Sequence, residues 1–257
     1  MLQERRNSIV EKVMRERMVK VTDLMREFGV SIETIRRDLE YLEKIGTVTR
    51  VYGGAVSNKM FGHEPSYEYR EIANYAQKKA IAAAAAELVG DGDTLFLDVG
   101  TTALEVARRL YTKKNLTVIT NATKAAHAIV AGENSRVILL GGALRPGELS
   151  VSGFLTDQNM AYFHANTAIL GVGGITLGNG VTDYHIEEAN TRRAFIAQAD
   201  KVIAVADYSK FGVTATNSVC PLSGITTLVT DWSVPAKVLD EYRAAGMHVI
   251  VAPNQDA

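Results

Sequence analysis

The sequence predicts an α/β chain in two parts: a small N-terminal unit of three helices closed by a β-hairpin, then a larger unit built on a mostly parallel sheet. Three observations predict it. Residues 1–56 carry apolar positions at helical spacing with almost no strand signal. After Gln77, helical segments alternate with short apolar runs. The charge balance also changes between the two, from 11 Lys/Arg against 9 Asp/Glu in residues 1–56 to 17 against 20 in the rest. Helical period followed by regular helix–strand alternation is the pattern of two architectures on one chain.

Length and composition agree with that division. At 257 residues, 47% hydrophobic and 22% charged, the chain can bury a sizeable core, and at ~150 residues per domain it amounts to slightly under two domains. A formal charge of −1 argues against a surface coated with phosphate-binding cations, yet it leaves room for a local basic module. No apolar run approaches the ~18 residues of a membrane span, and the first ten residues are charged where a secretory leader is apolar. A cytoplasmic protein without a membrane partner is expected. Cys220 is the single cysteine and His63, His127, His164, His185 and His248 lack ligand spacing, so neither a disulfide nor a metal site is expected.

In the first part Ile9, Val10, Val13 and Met14 recur at helical spacing, as do Leu24, Met25 and Phe28. Gly29 then suits a helix end that needs positive φ, and Ser31 suits the N-cap of a third helix. In that helix Ile32, Ile35, Leu39 and Leu42 share one stripe, leaving Glu33, Thr34, Arg37 and Lys44 opposite and Arg36 on the flank. After Gly46, the β-branched and aromatic run Thr47 to Tyr52 ended by Gly53-Gly54 reads as a wing-like hairpin.

A helix that enters the DNA major groove needs polar and cationic side chains near its N-terminus. Ser31, Thr34, Arg36 and Arg37 meet that need. Two adjacent arginines on a helix are by themselves an ordinary solvated face, but their place between a helix–glycine–helix turn and a hairpin favours nucleic-acid contact. Arg50 on the hairpin suits either a DNA backbone or minor-groove contact or plain surface decoration.

The run Val30 to Leu39 (VSIETIRRDL), with Leu42-Glu43 and Arg50-Val51-Tyr52-Gly53-Gly54-Ala55, resembles the N-terminal domain of the DeoR-type bacterial repressors of sugar catabolism. The resemblance covers residues 3–56. It implies operator binding to double-stranded DNA by a winged helix, with Thr34, Arg36 and Arg37 as contacts. Between the two parts Ser57 to Asn74, with Gly62, Pro65 and no period, suits a linker. The expected division is therefore a DNA-binding unit over 1–56, a linker over 57–75 and a second domain over 76–257.

In that domain the apolar runs are Thr94 to Asp98, Leu116 to Thr120, Arg136 to Leu140, Thr167 to Val172, Lys201 to Asp207, Thr226 to Asp231 and His248 to Ala252. Seven strands joined by helix-length connections pair most simply in parallel, with ligands at their carboxyl ends. Several of those ends are polar or glycine-rich. Asp98-Val99-Gly100-Thr101-Thr102 opening a helix suits a phosphate cradle, because glycine admits the anion while threonine hydroxyls and first-turn N–H groups donate; it equally suits an ordinary capped turn. Thr120-Asn121, Gly141-Gly142, Gly171 to Gly174 and Asp207 to Gly212 end other strands, and Lys210 is the natural cationic partner for a phosphate. A further cluster, Asp183, Tyr184, His185, Glu187, Glu188 and Arg192, suits hydrogen bonds to sugar hydroxyls or the capping of its own helix.

Leu97 to Thr102, Thr120-Asn121, Leu140 to Arg145, Leu170 to Val172 and Asp207 to Gly212 resemble the sensor domain of the same repressors over residues 77–252. The Asp183-Tyr184-His185 stretch with Thr191 to Ala194 is similar to the branch that contains glycerol-3-phosphate-responsive members. The resemblance implies a fold shared with ribose-5-phosphate isomerase and amino-sugar-phosphate deaminases, and a phosphorylated sugar or polyol as effector. It implies that Gly100, Thr101, Thr102 and Lys210 hold phosphate, with Asp98, Asn121, Asp183 and Glu187 near the carbon chain. One departure from the enzymes matters: where the deaminases carry a catalytic Asp-Glu-Tyr phrase, this chain has Gly141 to Pro146 and no carboxylate until Glu148. A pocket without a proton-abstracting group binds and does not turn over.

The expected protein is thus a cofactor-free transcriptional regulator, a repressor acting as a homodimer or homotetramer. The rival is a sugar-phosphate isomerase or deaminase with an appended N-terminal domain, and a third reading gives the pocket a role in assembly alone.

Overall fold

A computed structural model describes residues 2–16, 18–57, 64–131 and 135–254. The chain divides into two compact units, Met1–Ala73 and Asn74–Ala257.

The first unit runs α1 (Leu2–Glu16), β1 (Met18–Lys20), α2 (Val21–Phe28), α3 (Ile32–Lys44), β2 (Val48–Val51), β3 (Gly54–Ser57) and α4 (Tyr67–Ile72). Ile9, Val10 and Val13, Leu24, and Ile35, Leu39 and Leu42 meet in one core, as their spacing predicts. The side chain of Met14 lies outside the described residues. Gly29 ends α2 in the left-handed region, its N–H donating to the Met25 carbonyl at 3.0 Å, and the chain turns directly into α3.

Ile32 departs from the expected stripe. At the first position of α3 it is 39% exposed, and the fourth buried place belongs to Asp38. A buried lone carboxylate would be costly, but here Arg5 Nε and Arg6 Nε of α1 donate to its two oxygens at 2.6 and 2.8 Å. Arg6 also lies 3.8 Å from the centre of the Tyr41 ring. The ion pair therefore ties α1 to α3.

The predicted hairpin β2–β3 is present and gains a third strand, in the order β1-β3-β2. Three residues are too few to show alternation, which is why β1 left no strand signal. Gly54 pairs with Lys20, and a Cβ there would collide with the Val19 carbonyl. The second glycine of the Gly53-Gly54 pair is thus dictated by close strand packing. Within the stretch read as linker, Gly62 lies outside the described residues, while Ser66 caps α4 by accepting from Tyr69 N–H at 3.3 Å and Tyr69 packs on the core of this unit.

The second unit continues with α5 (Tyr75–Ala86), β4 (Thr94–Leu97), α6 (Thr101–Arg109), β5 (Thr117–Thr120), α7 (Thr123–Val130), β6 (Arg136–Leu139), β7 (Ala143–Arg145), β8 (Ser150–Ser152), α8 (Phe154–Met160) and β9 (Ala165–Gly171). Then come β10 (Gly174–Thr176), β11 (Gly180–Asp183), α9 (Ile186–Ala197), β12 (Ala199–Val205), β13 (Asn217–Cys220), β14 (Thr227–Asp231), α10 (Ala236–Ala244) and β15 (His248–Ala252). The seven runs picked from sequence form one parallel sheet in the order β15-β14-β12-β9-β4-β5-β6.

Alternation along β4 divides the core. Leu95 and Leu97 face α5, α6 and α7 through Ile81, Val106 and Ile129. Phe96 faces the other way and stacks on Phe195 of α9 with ring centres 4.9 Å apart. On that side lie two small antiparallel additions, the hairpin β7–β8 and the sheet β10-β11-β13. From β4 the chain adds β5 and β6 toward one edge, then returns to place β9 on the other side of β4. The strand order reverses between β4 and β9, the place at whose carboxyl ends such sheets take their ligands.

Candidate functional site

In the first unit the residues expected to meet DNA are gathered at one end of α3. Ser31 caps the helix, accepting from Thr34 N–H at 3.2 Å and sharing a 2.9 Å hydrogen bond with the Thr34 hydroxyl. Arg36 and Arg37 are exposed, Arg36 lying 3.6 Å from Glu33. This leaves a polar, cationic helix start turned away from the core, which is what base reading requires.

Arg50 is otherwise engaged. Glu43, in the last turn of α3, accepts from the Arg50 backbone N–H at 2.9 Å and from its Nε at 2.7 Å. That backbone N–H, with the guanidinium beside it, holds the Glu43 carboxyl below the usual glutamate range. The side chain read as a wing contact, still exposed, thus also clasps the wing to the helix.

In the second unit the site lies at the switch point. Asp98 follows β4, and its Oδ2 accepts the N–H of Gly171, the last residue of β9, at 3.0 Å. The same oxygen accepts from Arg192 Nε of α9 at 2.5 Å. Arg192 also donates to Asp183 at the end of β11 and lies 3.9 Å from Glu188. All four groups are buried. Burial opposes the charge on Arg192, but the three carboxylates outweigh it and raise its pKa well above the ordinary arginine value. Burial pushes the Asp98 carboxyl up to about 7, against the pull of Arg192.

The hairpin β7–β8 closes over this cluster. Val151 N–H donates to the Asn121 carbonyl at 2.8 Å, and the hydroxyl and N–H of Thr123 donate to the Leu149 carbonyl. Arg145 reaches across to Glu188 at 2.6 Å and to His185 Nε2 at 2.6 Å, and the Ser150 hydroxyl donates to Glu188 at 3.0 Å. A guanidinium has no acceptor, so a hydrogen bond between the two is donated by Arg145.

Most of the expected effector residues therefore share the carboxyl edge of the sheet. Gly100, at φ +122 with open space around its Cβ position, precedes α6, and Thr101 and Thr102 form its first turn. Asn121 leaves β5 beside Asp98, since Leu97 and Thr120 are partners in register. Lys210 is half-buried on the turn Tyr208–Lys210 after β12, two strands from β4. Glu187 is not in the cluster: it is exposed on α9, and its neighbour Glu188 turns inward. Arg145 and Ser150, which both pair with Glu188 of the expected cluster, were missed as binding candidates because the hairpin that carries them left no strand signal. Gly173 serves packing, since a Cβ there would press on the Thr182 carbonyl and Asp183.

Asp98 Oδ1 and Asn121 Oδ1 are buried without a hydrogen-bond partner among the described residues. Orphaned buried acceptors are rare and call for an explanation. No group of histidine, cysteine and carboxylates among the described residues could hold a metal, and no helix there is long and apolar enough to cross a membrane.

A helical unit with a wing and an exposed cationic recognition helix, joined to a doubly wound α/β domain with a polar switch-point cluster, defines a DNA-binding transcriptional regulator. A model of the DeoR-like helix-turn-helix domain matches residues 5–61, and one of the DeoR C terminal sensor domain matches residues 73–232. The chain belongs to the DeoR family. It is 33% identical over 249 residues to the HTH-type transcriptional regulator GolR of Listeria innocua, covering 97% of this chain and 98% of that one. It is 33% identical over 236 residues to the glycerol-3-phosphate regulon repressor of Escherichia coli K12, covering 92% and 93%. Ribose 5-phosphate isomerase A of Methanocaldococcus jannaschii aligns over 54% of this chain and 55% of its own, at 16% identity and a TM-score of 0.41. By family the protein is a regulator and not an enzyme.

Proposed function

We propose that this regulator represses a sugar or polyol catabolic operon and releases its operator when a phosphorylated sugar or polyol occupies the switch-point site. The observation that carries the reading is the pair of orphaned acceptors, Asp98 Oδ1 and Asn121 Oδ1, beside the first turn of α6. A ligand hydroxyl satisfies both, donating to Asn121 Oδ1 and pairing with Asp98 Oδ1 whether or not that carboxyl holds its proton, while the unpaired N–H groups of the α6 first turn, Thr101, Thr102 and Lys210 receive the phosphate. Asp183 and Arg192 hold the floor of the site, and Arg145, Ser150 and Glu188 hold its cover. The relative named as a glycerol-3-phosphate regulon repressor supports the same ligand class.

On the DNA side, Ser31, Thr34, Arg36 and Arg37 contact the operator, in the cytoplasm, with at least two copies of the chain engaged. DNA reading belongs to residues 1–56 and sensing to 76–257, joined by 57–75, a division supported by the family models over 5–61 and 73–232. Release is linkage: an effector that binds the non-operator arrangement more tightly shifts the population away from the DNA-competent one.

The test is a thermal-shift panel of sugar and polyol phosphates on the full chain, repeated with Lys210→Ala. A specific ligand at 100 times its Kd adds about 2.7 kcal/mol, and the Lys210→Ala chain, measured against its own unliganded melting temperature, should lose that response. No response to any phosphorylated polyol or sugar would overturn the reading, and turnover of one would favour a residual enzyme.

A further inference from the structure

Tyr52 sits at the tip of the wing and is fully exposed, more so than any other large hydrophobic side chain among the described residues. The turn does not require it. Gly53 alone supplies the positive φ, +78, and any residue serves before it. An aromatic ring left wholly in water contributes nothing to folding.

The tip is also held rigidly with respect to the recognition helix. β3 pairs with both β2 and β1, Val21 N–H donates to the Gly53 carbonyl at 2.9 Å, and Glu43 of α3 clasps both the backbone and the guanidinium of Arg50, two residues before Tyr52. The charge expected to serve the wing is thereby paired with Glu43 of α3, although it stays exposed. Beyond that paired charge the tip presents, fully exposed, a neutral aromatic ring with a hydroxyl.

We infer that Tyr52 is the DNA contact of the wing and that Glu43 and Arg50 are its positioning residues. With α3 in the major groove, the ring packs against the sugar–phosphate backbone flanking the bases that α3 reads, and its hydroxyl donates to a phosphate oxygen. Contacts to sugar and phosphate fix register and carry no sequence information. This contact therefore strengthens binding to operator and unrelated duplex alike.

The experiment measures binding by fluorescence anisotropy on a duplex selected from a random pool by the full-length protein, and on a scrambled duplex. Tyr52→Ala should weaken both by about 5- to 10-fold, the worth of one hydrogen bond and its packing, and Tyr52→Phe should weaken both by less. Because tyrosine is neutral, the dependence of affinity on salt should keep its slope. The melting temperature should not move, which separates a lost contact from a folding defect. In a Glu43→Gln background, which frees the wing, removing Tyr52 should cost less than in the wild type, a non-additivity that marks positioning. Affinity of Tyr52→Ala within twofold of wild type on both duplexes would overturn the inference. So would a change in the mass of the free protein, which would make the ring a contact between copies. Arg37→Ala is the control for the recognition helix: if it weakens binding and Tyr52→Ala does not, the wing contact alone fails.

Discussion

Arg37 is the residue on which base reading rests most directly, because it is exposed on α3 and no ion pair among the described residues holds it, whereas Arg36 lies beside Glu33 and Arg50 is clasped by Glu43. Arg37→Ala should cost about 1 to 3 kcal/mol of operator binding and relax preference at one base pair, read by anisotropy against single-base operator variants. In the sensor, Arg192 carries the buried charge balance. Arg192→Met leaves Asp98, Asp183 and Glu188 buried around an apolar side chain, and should cost about 3 to 5 kcal/mol, read as a lowered melting temperature. Asp98 adds a pH dependence. Its carboxyl is raised from 3.8 to about 7, so the folded chain keeps a proton that the unfolded chain has released. Stability present at acid pH is then lost as pH rises from about 4 through about 7. Asp98→Asn does not titrate and should flatten the profile; identical urea midpoints against pH for the two chains would show that Asp98 is ionised throughout.

At the scale of elements, what the sequence revealed depended on length and period. The seven parallel strands are apolar runs bounded by turns and flanked by helices, and every one was legible. The strands of the hairpin β7–β8 have three residues each, too few for alternation to emerge, and β10 and β11 hide among glycines chosen for close packing. The site divided along the same line. Gly100, Thr101, Thr102 and Asn121 follow visible strands, whereas Arg145, Ser150 and Glu188 meet only because the hairpin folds back on α9. Ile32 was misplaced because a stripe drawn from hydrophobic residues cannot show that Asp38 is inside, neutralised by arginines about 30 positions away. The hairpin itself can be tested through Gly142, where a Cβ would collide with the Thr156 hydroxyl and the Ser152 carbonyl. Gly142→Ala should displace the hairpin at a cost of about 1 to 3 kcal/mol. It should weaken effector binding in calorimetry while leaving affinity for the operator duplex unchanged.

For the whole molecule, the near-neutral total charge conceals a DNA-reading end of about +2 and an acidic remainder. One such end meets few phosphates, so tight binding needs at least two copies on a repeated or palindromic site. Light scattering on the protein–operator complex should give two or more chains per duplex, and a single chain at working concentration would refute this. The Glu43–Arg50 clasp bears on how such a regulator could be redirected to a new promoter. Because the last turn of α3 grips the wing, recognition helix and wing are one transferable cassette, spanning Ser31 to Ser57. A chimera that imports only the base-reading residues of a relative keeps the host's wing geometry, and one that replaces all of α3 without a glutamate at position 43 sets that wing loose.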